Sequence, residues 1–348
     1  MAVARTESLG RMERSRMPLS AARDRDGIVL ALLVLGACCL PLVFGAYGLR
    51  VATMVAMYVA LAQSWNLIGG YTGLISLAQP AFFGSGAIAA LIFLVNGAPV
   101  WLAVLGSLGV SLAIAVMVGA PTLRLVGHYF VVATLLVSEA LRNLVLNLNA
   151  FNFNGGISVN IVSKVGLTAL SPTTYNQVFY YVMLGLATTA MLAIFALERS
   201  KWGLALRAIR DNQRAASALG VAATRLKIAV VLASAALVSL VGTAWAFWIG
   251  TVETNEAFSL TLTFEIIVMV FLGGRGTLWG PLLGVLVVLF INETIGVELA
   301  EITQVVSGVI VVLVVLLQPD GLIQIFRQGP RAFAPKTLAA NLRRYRVR

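Results

Sequence analysis

Residues 51–123 have the sequence VATMVAMYVALAQSWNLIGGYTGLISLAQPAFFGSGAIAALIFLVNGAPVWLAVLGSLGVSLAIAVMVGAPTL, without a single Asp, Glu, Lys or Arg. One membrane-spanning helix needs only about 20 mainly apolar residues, so this stretch is long enough to cross a bilayer several times. Across all 348 residues, 59% are hydrophobic, 11% are charged and the mean hydropathy is +0.93. This composition excludes a water-soluble globule and predicts an all-α polytopic membrane protein.

Charged residues, glycine pairs and prolines divide the chain into about ten apolar segments, so we expect eight to ten transmembrane helices. The predicted spans cover residues 28–47, 51–69, 75–96, 99–121, 126–147, 178–198, 228–250, 262–273, 277–292 and 302–318. The segments 262–273 and 277–292 are short for full crossings. They predict either two helices or one broken, re-entrant element whose irregular backbone is buried in protein.

The basic residues predict the orientation of the chain. They cluster on the side that the N-terminus occupies, in residues 1–26, Arg124, residues 199–227, Arg275 and residues 320–348. Of the 25 Lys and Arg residues, only Arg50, Arg142 and Lys164 fall elsewhere. Because cytoplasmic loops carry an excess of Lys and Arg, both termini are predicted to be cytoplasmic and the number of crossings to be even. The net charge of +11 therefore indicates topology and not nucleic-acid binding.

The predicted organisation is a single membrane domain, residues 27–321, between basic cytoplasmic tails at 1–26 and 322–348. Two loops are long enough to have functions of their own. Residues 148–177 form an outer loop rich in Asn and Gly, and residues 199–227 form an Arg-rich cytoplasmic loop. The first is a candidate contact for a solute or its carrier, and the second for a cytoplasmic partner.

Signatures of enzymes are absent from the sequence. No lysine follows a glycine, so there is no phosphate-binding loop of the form G-x-x-x-x-G-K-[ST]. The single histidine, His128, has no Cys, His or carboxylate cluster at metal-ligand spacing, and no G-x-S-x-G motif occurs. We therefore predict no catalytic residue, metal site or cofactor in this chain, and the alternative of a membrane enzyme would need a reactive cluster that the sequence does not show.

Glycine and proline interrupt two apolar regions. The candidate backbone breaks are Gly70, Gly73, Pro80, Gly84, Gly273, Gly274, Gly276 and Pro281. Glycine frees the backbone from helical geometry and also lets neighbouring helices approach closely, so the breaks either face a polar route or serve tight packing alone. Both regions fall on the same side of the predicted topology, as the two halves of a parallel internal repeat would.

Polar groups within the predicted spans are candidates for the path of a solute. Glu139 and Arg142 lie three residues apart on one helix face, which favours a mutual ion pair over contact with a passing zwitterion. Glu265 either extends toward the headgroups or faces the path, and Gln79 beside Pro80 offers an uncharged hydrogen-bonding group. From the outer loop we add Asn154, Gly155 and Gly156.

Four motifs in order carry a family resemblance: GGYTGLISLAQPAFFGSGA (69–87), LRLVGHYFVVATL (123–135), ALRAIRDNQRAASALGV (205–221) and GGRGTLWGPLLG (273–284). Together they resemble the LivM-type permease of high-affinity branched-chain amino acid ABC transporters. The chain departs from the family pattern at two places. Residues 76–79 are S-L-A-Q where the family usually has S-L-G-H, and Arg275 occupies a position that is commonly apolar.

The resemblance implies a bacterial inner-membrane permease subunit that works by alternating access. Its implied partners are a LivH-like permease, two cytoplasmic ATPases that bind ATP and Mg, and a periplasmic substrate-binding protein. The implied solutes are branched-chain amino acids or similar small polar molecules, with urea, short amides or aromatic acids as alternatives within the family. The alternative of another class is an ion-coupled secondary transporter or a channel, which would need no ATPase.

Residues 205–220 are predicted to form a short helix that couples the chain to an ATPase. The sequence is rich in Ala, Gly220 can end the helix, and Arg207, Arg210 and Arg214 share one face at spacings of three and four. Ala215-Ala216-x-x-x-Gly220 resembles the cytoplasmic EAA loop of ABC importers, in which small residues permit close contact. The alternative is a basic loop that only fixes topology.

Overall fold

A computed structural model of the protein describes residues 19–123, 125, 127–147, 157–158, 171–296 and 321–323. The regular structure in these residues is helical apart from one pair of two-residue strands. In the first half the elements are α1 (Leu19–Val43), α2 (Ala46–Gly69), α3 (Gln79–Val95), α4 (Val100–Thr122), α5 (His128–Asn147) and β1 (Ile157–Ser158). In the second half they are α6 (Pro172–Arg199), α7 (Lys201–Asp211), α8 (Gln213–Ala218), α9 (Ala223–Ile249), β2 (Thr251–Val252), α10 (Thr254–Ala257), α11 (Leu260–Gly273) and α12 (Gly280–Gly296).

Seven segments of the described residues are long and apolar enough to cross a membrane: Asp26–Val43, Ala46–Gly69, Val100–Gly119, His128–Asn147, Thr173–Arg199, Ala223–Ile249 and Thr254–Gly273. Two shorter apolar helices are Gln79–Val95 and Gly280–Glu293. The helical, multi-pass character predicted from the sequence is thus confirmed. The predicted span 302–318 lies outside the described residues, so the count of about ten helices stays a prediction.

Contacts divide the chain into two compact units, Met1–Leu49 and Arg50–Arg348. In the first unit, α1 exposes most of its apolar side chains, as a helix that faces lipid does. The predicted division into tails and membrane domain is not tested, since most of both tails lies outside the described residues.

Helix α3 is the core of the larger unit. All of its side chains except Ile92, Phe93 and Val95 are buried, because α4 and α9 cover it. Glycines allow the closest approach: a Cβ on Gly86 would lie 2.5 Å from the carbonyl oxygen of Ser239, and a Cβ on Gly242 would overlap the carbonyl of Phe83. In a membrane, where lipid is as apolar as leucine, such small-residue contacts supply the packing that holds helices together.

Hydroxyl pairs join the same three helices. Ser85 of α3 lies 2.8 Å from Ser111 of α4, measured between the two side-chain oxygens. Ser107 of α4 lies 2.9 Å from Thr243 of α9, whose hydroxyl also donates to the carbonyl of Gly86. These polar side chains therefore bond to one another across the buried interfaces instead of facing an apolar surface alone.

Helices α11 and α12 are two separate, antiparallel helices joined by residues 274–279. A Cβ on Gly284 would overlap the carbonyl of Met269, and one on Gly273 would overlap the carbonyl of Gly280. Because α11 has 14 residues, it measures about 21 Å at ~1.5 Å per residue, which is shorter than a bilayer core. The short turn of α10 extends the apolar segment to Thr254–Gly273.

The loops of the larger unit gather at two ends. Residues 70–78, 199–222, 274–279 and 321–323 form one end, where Arg210 contacts Gly70 and the amide of Leu322 donates to the carbonyl of Leu272. We call this the basic end. At the opposite end, β1 pairs with β2 in antiparallel register, Ile157 facing Val252 and Ser158 facing Thr251. This sorting agrees with the sides assigned from the basic residues, whereas the location of the termini stays a prediction.

Candidate functional site

Gln79 begins α3 and is buried, with 1% of its surface exposed. Its Nε2 donates to the hydroxyl of Ser234 on α9 over 3.3 Å. Its Oε1 is buried and accepts no hydrogen bond from any described residue. An amide oxygen in this situation is an acceptor that a water or a polar solute can use. Its predicted place in the solute path therefore remains open to test.

The ion pair expected from the spacing of Glu139 and Arg142 is present on α5. The Nη2 of Arg142 lies 2.6 Å from the Oε2 of Glu139, and about a third of each side chain is exposed. Nη1 of Arg142 also lies 3.5 Å from Oδ1 of Asn255, in α10. Both charges therefore have partners within the chain, and a role in contacting a solute stays a prediction.

Glu265 on α11 has a specific partner that the sequence did not indicate. The hydroxyl of Tyr58, on α2, donates to its Oε2 over 2.6 Å. Both side chains are half-buried, so Glu265 is held between two helices and does not simply extend to the headgroups. The phenol of Tyr58 in a mainly apolar helix gave no indication of its partner, because the two residues are 207 positions apart.

The outer-loop candidates Asn154, Gly155 and Gly156 lie outside the described residues. Their neighbours Ile157 and Ser158 pair with Thr251 and Val252, which attaches the loop to the segment after α9. On the other side of the loop, the hydroxyl of Tyr175 donates to the carbonyl of Phe247. The loop is thus connected to the end of α9 at two points.

The first predicted break is real and lies between α2 and α3. Residues 70–78 are non-helical, and Gly73 adopts a φ of +75°, a conformation that favours glycine. Side chains of neighbouring helices take up its backbone groups: the amide of Leu77 donates to Thr134, Ser138 donates to the carbonyl of Leu77, and Trp65 donates to that of Ser76. These peptide groups are committed to packing and do not face an open polar route.

The prediction of a break at Gly84 is wrong. Gly84 lies inside α3, where a Cβ would stand 2.6 Å from the ring of Phe258, so its role is close packing. Pro80 occupies the first turn of α3, where its missing N–H leaves no helical hydrogen bond unmade. Pro281, one residue after the start of α12, takes the corresponding place there.

The second predicted break covers residues 274–279 and is held by α2. Gly273 ends α11, and Gly274 and Gly276 adopt φ values of +124° and +72°. Buried amides of α2 bind this loop: Gln63 donates to the carbonyl of Leu278 over 2.7 Å, and Asn66 accepts from the amide of Gly276 over 2.7 Å. Sequence reasoning missed Gln63 and Asn66, although two amides in an apolar helix were a usable signal.

The prediction of one helix over residues 205–220 is also wrong. Asn212 is extended, with φ of −157° and ψ of +101°, and it separates α7 from α8. Its side chain caps α8 by accepting from the amide of Ala215. Asparagine is a preferred N-cap residue, so the position of this division had a local signal in the sequence.

Arg207 and Arg210 therefore lie on α7 and Arg214 on α8, so the three arginines do not share one helix face. Arg207 lies 3.2 Å from the carboxylate of Glu198, and Arg210 donates to the carbonyl of Gly70 over 2.9 Å. The carboxylate of Glu198 also accepts from the hydroxyl of Tyr71 over 2.7 Å. Burial raises the pKa of the Tyr71 hydroxyl, and the negative charge of Glu198 raises it further, so Tyr71 stays neutral and donates.

Helix α8 projects from the basic end. Arg214 and Ala215 are exposed, Leu219 is 86% exposed, and Gly220 ends the segment with φ of +87°. Ala216 is buried, so it packs toward the chain and does not lie on the exposed surface.

The part of the chain that the structure describes contains no candidate metal-binding site. No group of three or more His, Cys, Asp or Glu side chains is arranged there to hold a metal ion. Cys38 and Cys39 are exposed on α1. That the chain carries no cofactor of its own stays a prediction.

A family model for the branched-chain amino acid transport system permease component matches residues 47–315. The high-affinity branched-chain amino acid transport system permease protein LivM of Salmonella typhimurium (strain LT2) is 28% identical over 322 residues, covering 86% of this chain and 75% of the relative. Its Escherichia coli (strain K12) counterpart is 27% identical with the same coverage.

A fructose import permease protein, FruF of Bifidobacterium longum, is 24% identical over 313 residues, covering 84% of this chain and 79% of that relative. No solved structure matches the chain significantly. Since these relatives are named as permeases, and the family model matches most of the chain, the protein is a membrane transport subunit and not an enzyme. It belongs to the family of branched-chain amino acid transport system permease components.

Proposed function

We propose that this chain is the LivM-like permease subunit of an ATP-driven importer in the bacterial inner membrane. It forms the translocation path with a LivH-like permease, and the pair moves branched-chain amino acids or related small polar solutes by alternating access. Two cytoplasmic ATPases bind ATP and Mg, and a periplasmic binding protein delivers the solute. The match of the family model over residues 47–315 carries this proposal.

The test of this assembly is co-expression with the neighbouring genes, followed by purification through a tag on this chain. We expect ATPase subunits and a second permease to co-purify, and we expect the binding protein loaded with Leu, Ile or Val to stimulate ATP hydrolysis. The solute panel includes urea, short amides, aromatic acids and, because of the FruF relative, fructose. A chain that purifies without ATPase subunits and transports on a proton or sodium gradient would instead be the ion-coupled transporter.

Within this assembly, the surface of α8 with Leu219 is the site that docks on an ATPase. The surface combines the exposed Arg214, Ala215 and Leu219 at the basic end, where an excess of Lys and Arg favours a cytoplasmic location. An exposed leucine of this kind supplies apolar area that a partner groove can bury, at about 25 cal/mol per Å². The buried Ala216 supports α8 from behind.

Leu219→Glu tests the docking surface more cleanly than a change at Ala216, which would disturb internal packing. We expect Leu219→Glu to insert normally and to lose most of the co-purifying ATPase. Leu125→Glu is the matched control, because Leu125 is an exposed leucine in the short segment between α4 and α5. Equal ATPase recovery from Leu219→Glu and the wild type would exclude α8 as the docking element.

A further inference from the structure

The basic end contains an arginine contact that the docking surface does not require. Arg210 lies in the last turn of α7, and a third of its side chain is exposed. Its Nη1 donates to the carbonyl oxygen of Gly70 over 2.9 Å. Its nearest carboxylate, that of Asp211, is 3.7 Å from Nε and three-quarters exposed, so an ion pair with Asp211 does not explain where the side chain lies.

Three glycines make room for this side chain. A Cβ on Gly73 would lie 2.8 Å from Cγ of Arg210, and a Cβ on Gly276 would lie 2.8 Å from its Nη1. Gly73 and Gly276 both have positive φ, so each position favours glycine for its conformation as well as for space. Gly70 supplies the acceptor. Arg210 thus lies where the two glycine breaks, 70–78 and 274–279, come together.

The two breaks also meet independently of Arg210, since a Cβ on Gly70 would lie 2.6 Å from the amide nitrogen of Gly276. The end of α2, directly before the first break, also holds the second break. The side chain of Asn66 accepts from the amide of Gly276 and donates to the carbonyl of Thr277 over 3.0 Å. Each break leads directly into a helix: the first into α3, the buried core of the unit, and the second into α12. A displacement of the joined breaks therefore moves the starts of two helices together.

Helix α7 has a second attachment, at Glu198, the penultimate residue of α6. The carboxylate of Glu198 binds Arg207 of α7 and Tyr71 of the first break. Glu198 and Arg207 are thus linked to the first break alone, whereas Arg210 reaches both breaks. Helix α8 follows α7 after a single residue, Asn212, and packs against it, so a force on α8 passes into α7. Gln213 of α8 also accepts from Lys227 of α9 over 2.6 Å, which gives α8 a second attachment.

We propose that Arg210 is the positioning residue that transmits movement of the α7–α8 segment to both glycine breaks, and through them to α3 and α12. This rests on the proposed function, because the movement originates in ATPase subunits that bind α8. Arg210 itself does not contact the solute or the ATPase. Its guanidinium suits the task because one planar group can bind a carbonyl while filling the space between three glycines.

The experiment uses the complete complex of this chain with its partner subunits in liposomes. Arg210→Met keeps the aliphatic length and removes the hydrogen bond to Gly70. Lys201→Met, at the exposed start of α7, removes a positive charge from the same helix and is the matched control. For the wild type and both variants we measure ATPase recovery, ATP hydrolysis and solute uptake. The quantity that we compare is the solute uptake per ATP hydrolysed.

We expect Arg210→Met to retain its ATPase subunits and to hydrolyse ATP, with uptake per ATP reduced about tenfold, within the ~5–150-fold range typical of coupling between sites. Lys201→Met should match the wild type. An unchanged ratio for Arg210→Met would overturn the proposal, and so would loss of the ATPase, because Arg210 would then be a docking residue. If the wild-type complex contains no ATPase, the proposed function fails and this inference fails with it.

A double-mutant cycle separates transmission from a general loss of folding. Gly73→Ala places a methyl group against Cγ of Arg210, so we expect it to lower uptake per ATP. In an Arg210→Ala background that atom is gone, so we expect the further loss from Gly73→Ala to be smaller than in the wild type and to reflect only the strain of an alanine at a φ of +75°. Additive losses in the double variant would contradict the contact.

A conservative variant tests the hydrogen bond itself. Arg210→Lys keeps a donor that can reach Gly70, so we expect its uptake per ATP to be higher than that of Arg210→Met. Equal uptake per ATP for Arg210→Lys and Arg210→Met would overturn the role of the hydrogen bond.

Discussion

At the scale of single residues, two buried glutamines differ in what they contribute. Gln63 donates over 2.7 Å to the carbonyl of Leu278, whereas Gln79 has a buried oxygen that no described residue bonds. Losing the first would leave a buried carbonyl unsatisfied, which costs about 1–3 kcal/mol, whereas replacing a poorly satisfied amide by an apolar group of similar size is nearly neutral.

We therefore predict that Gln63→Leu lowers the free energy of unfolding by about 1–3 kcal/mol and that Gln79→Leu changes it by less than about 1 kcal/mol. Thermal unfolding of the purified subunit or complex measures the difference. If Gln79 lies on the solute path, Gln79→Leu also reduces uptake without reducing the amount of protein in the membrane. A Gln79→Leu variant as unstable as Gln63→Leu would show that its amide is fully bonded in the membrane.

A contact between residues close in sequence could be predicted from their spacing, whereas the distant contacts could not. The ion pair of Glu139 with Arg142 followed from their spacing on one helix. The bond between Tyr58 and Glu265 joins helices 207 residues apart, and no local pattern specifies which helices will be neighbours. The same holds for Arg210, whose partner Gly70 is 140 residues away.

At the scale of elements, long apolar segments of the sequence form the helices. The glycines divide into two structural classes that the sequence alone does not separate. Gly73 and Gly276 have positive φ and belong to non-helical breaks, while Gly84, Gly86 and Gly242 lie within helices and serve close packing. Both classes have the same composition, so only the neighbouring backbone distinguishes them. This is why Gly84 was wrongly predicted as a break.

Replacing a helical glycine by alanine should have opposite effects on stability at a closely packed position and at an open one. Gly242→Ala would force a Cβ onto the carbonyl of Phe83, and we expect overpacking to cost about 1–3 kcal/mol of unfolding free energy. Gly185→Ala on α6 has no atom within 4 Å of its Cβ, and higher helix propensity should stabilise by about 0.5–1 kcal/mol. Thermal unfolding of both variants checks this, and equal midpoints would contradict the close approach of α3 and α9.

At the scale of the whole molecule, the loops that lie at the same end also carry charged residues of the same predominant sign. The basic end contains Arg207, Arg210 and Arg275, whereas Glu253 and Glu256 lie near β2 at the opposite end. Because cytoplasmic loops are rich in Lys and Arg, we predict that the basic end is cytoplasmic. Contacts within the molecule show which loops share an end, and the positive-inside tendency supplies the predicted orientation.

Cysteine labelling of intact cells tests this orientation. In a background in which Cys38 and Cys39 are replaced by Ala, Glu253→Cys should react with a membrane-impermeant thiol reagent from outside, since Glu253 is exposed. Leu219→Cys should react only after the membrane is opened, and a reporter fused after Arg348 should be cytoplasmic. External labelling of Leu219→Cys would reverse the proposed orientation.

The measurement that most directly tests the central claim is solute uptake by liposomes that contain the purified complex. We predict uptake of a branched-chain amino acid only when ATP with Mg is on the side of the basic end and the loaded binding protein is on the other. A proton or sodium gradient should not replace ATP. Uptake driven by an ion gradient in liposomes that contain this chain without any ATPase would contradict its assignment as an ABC permease subunit.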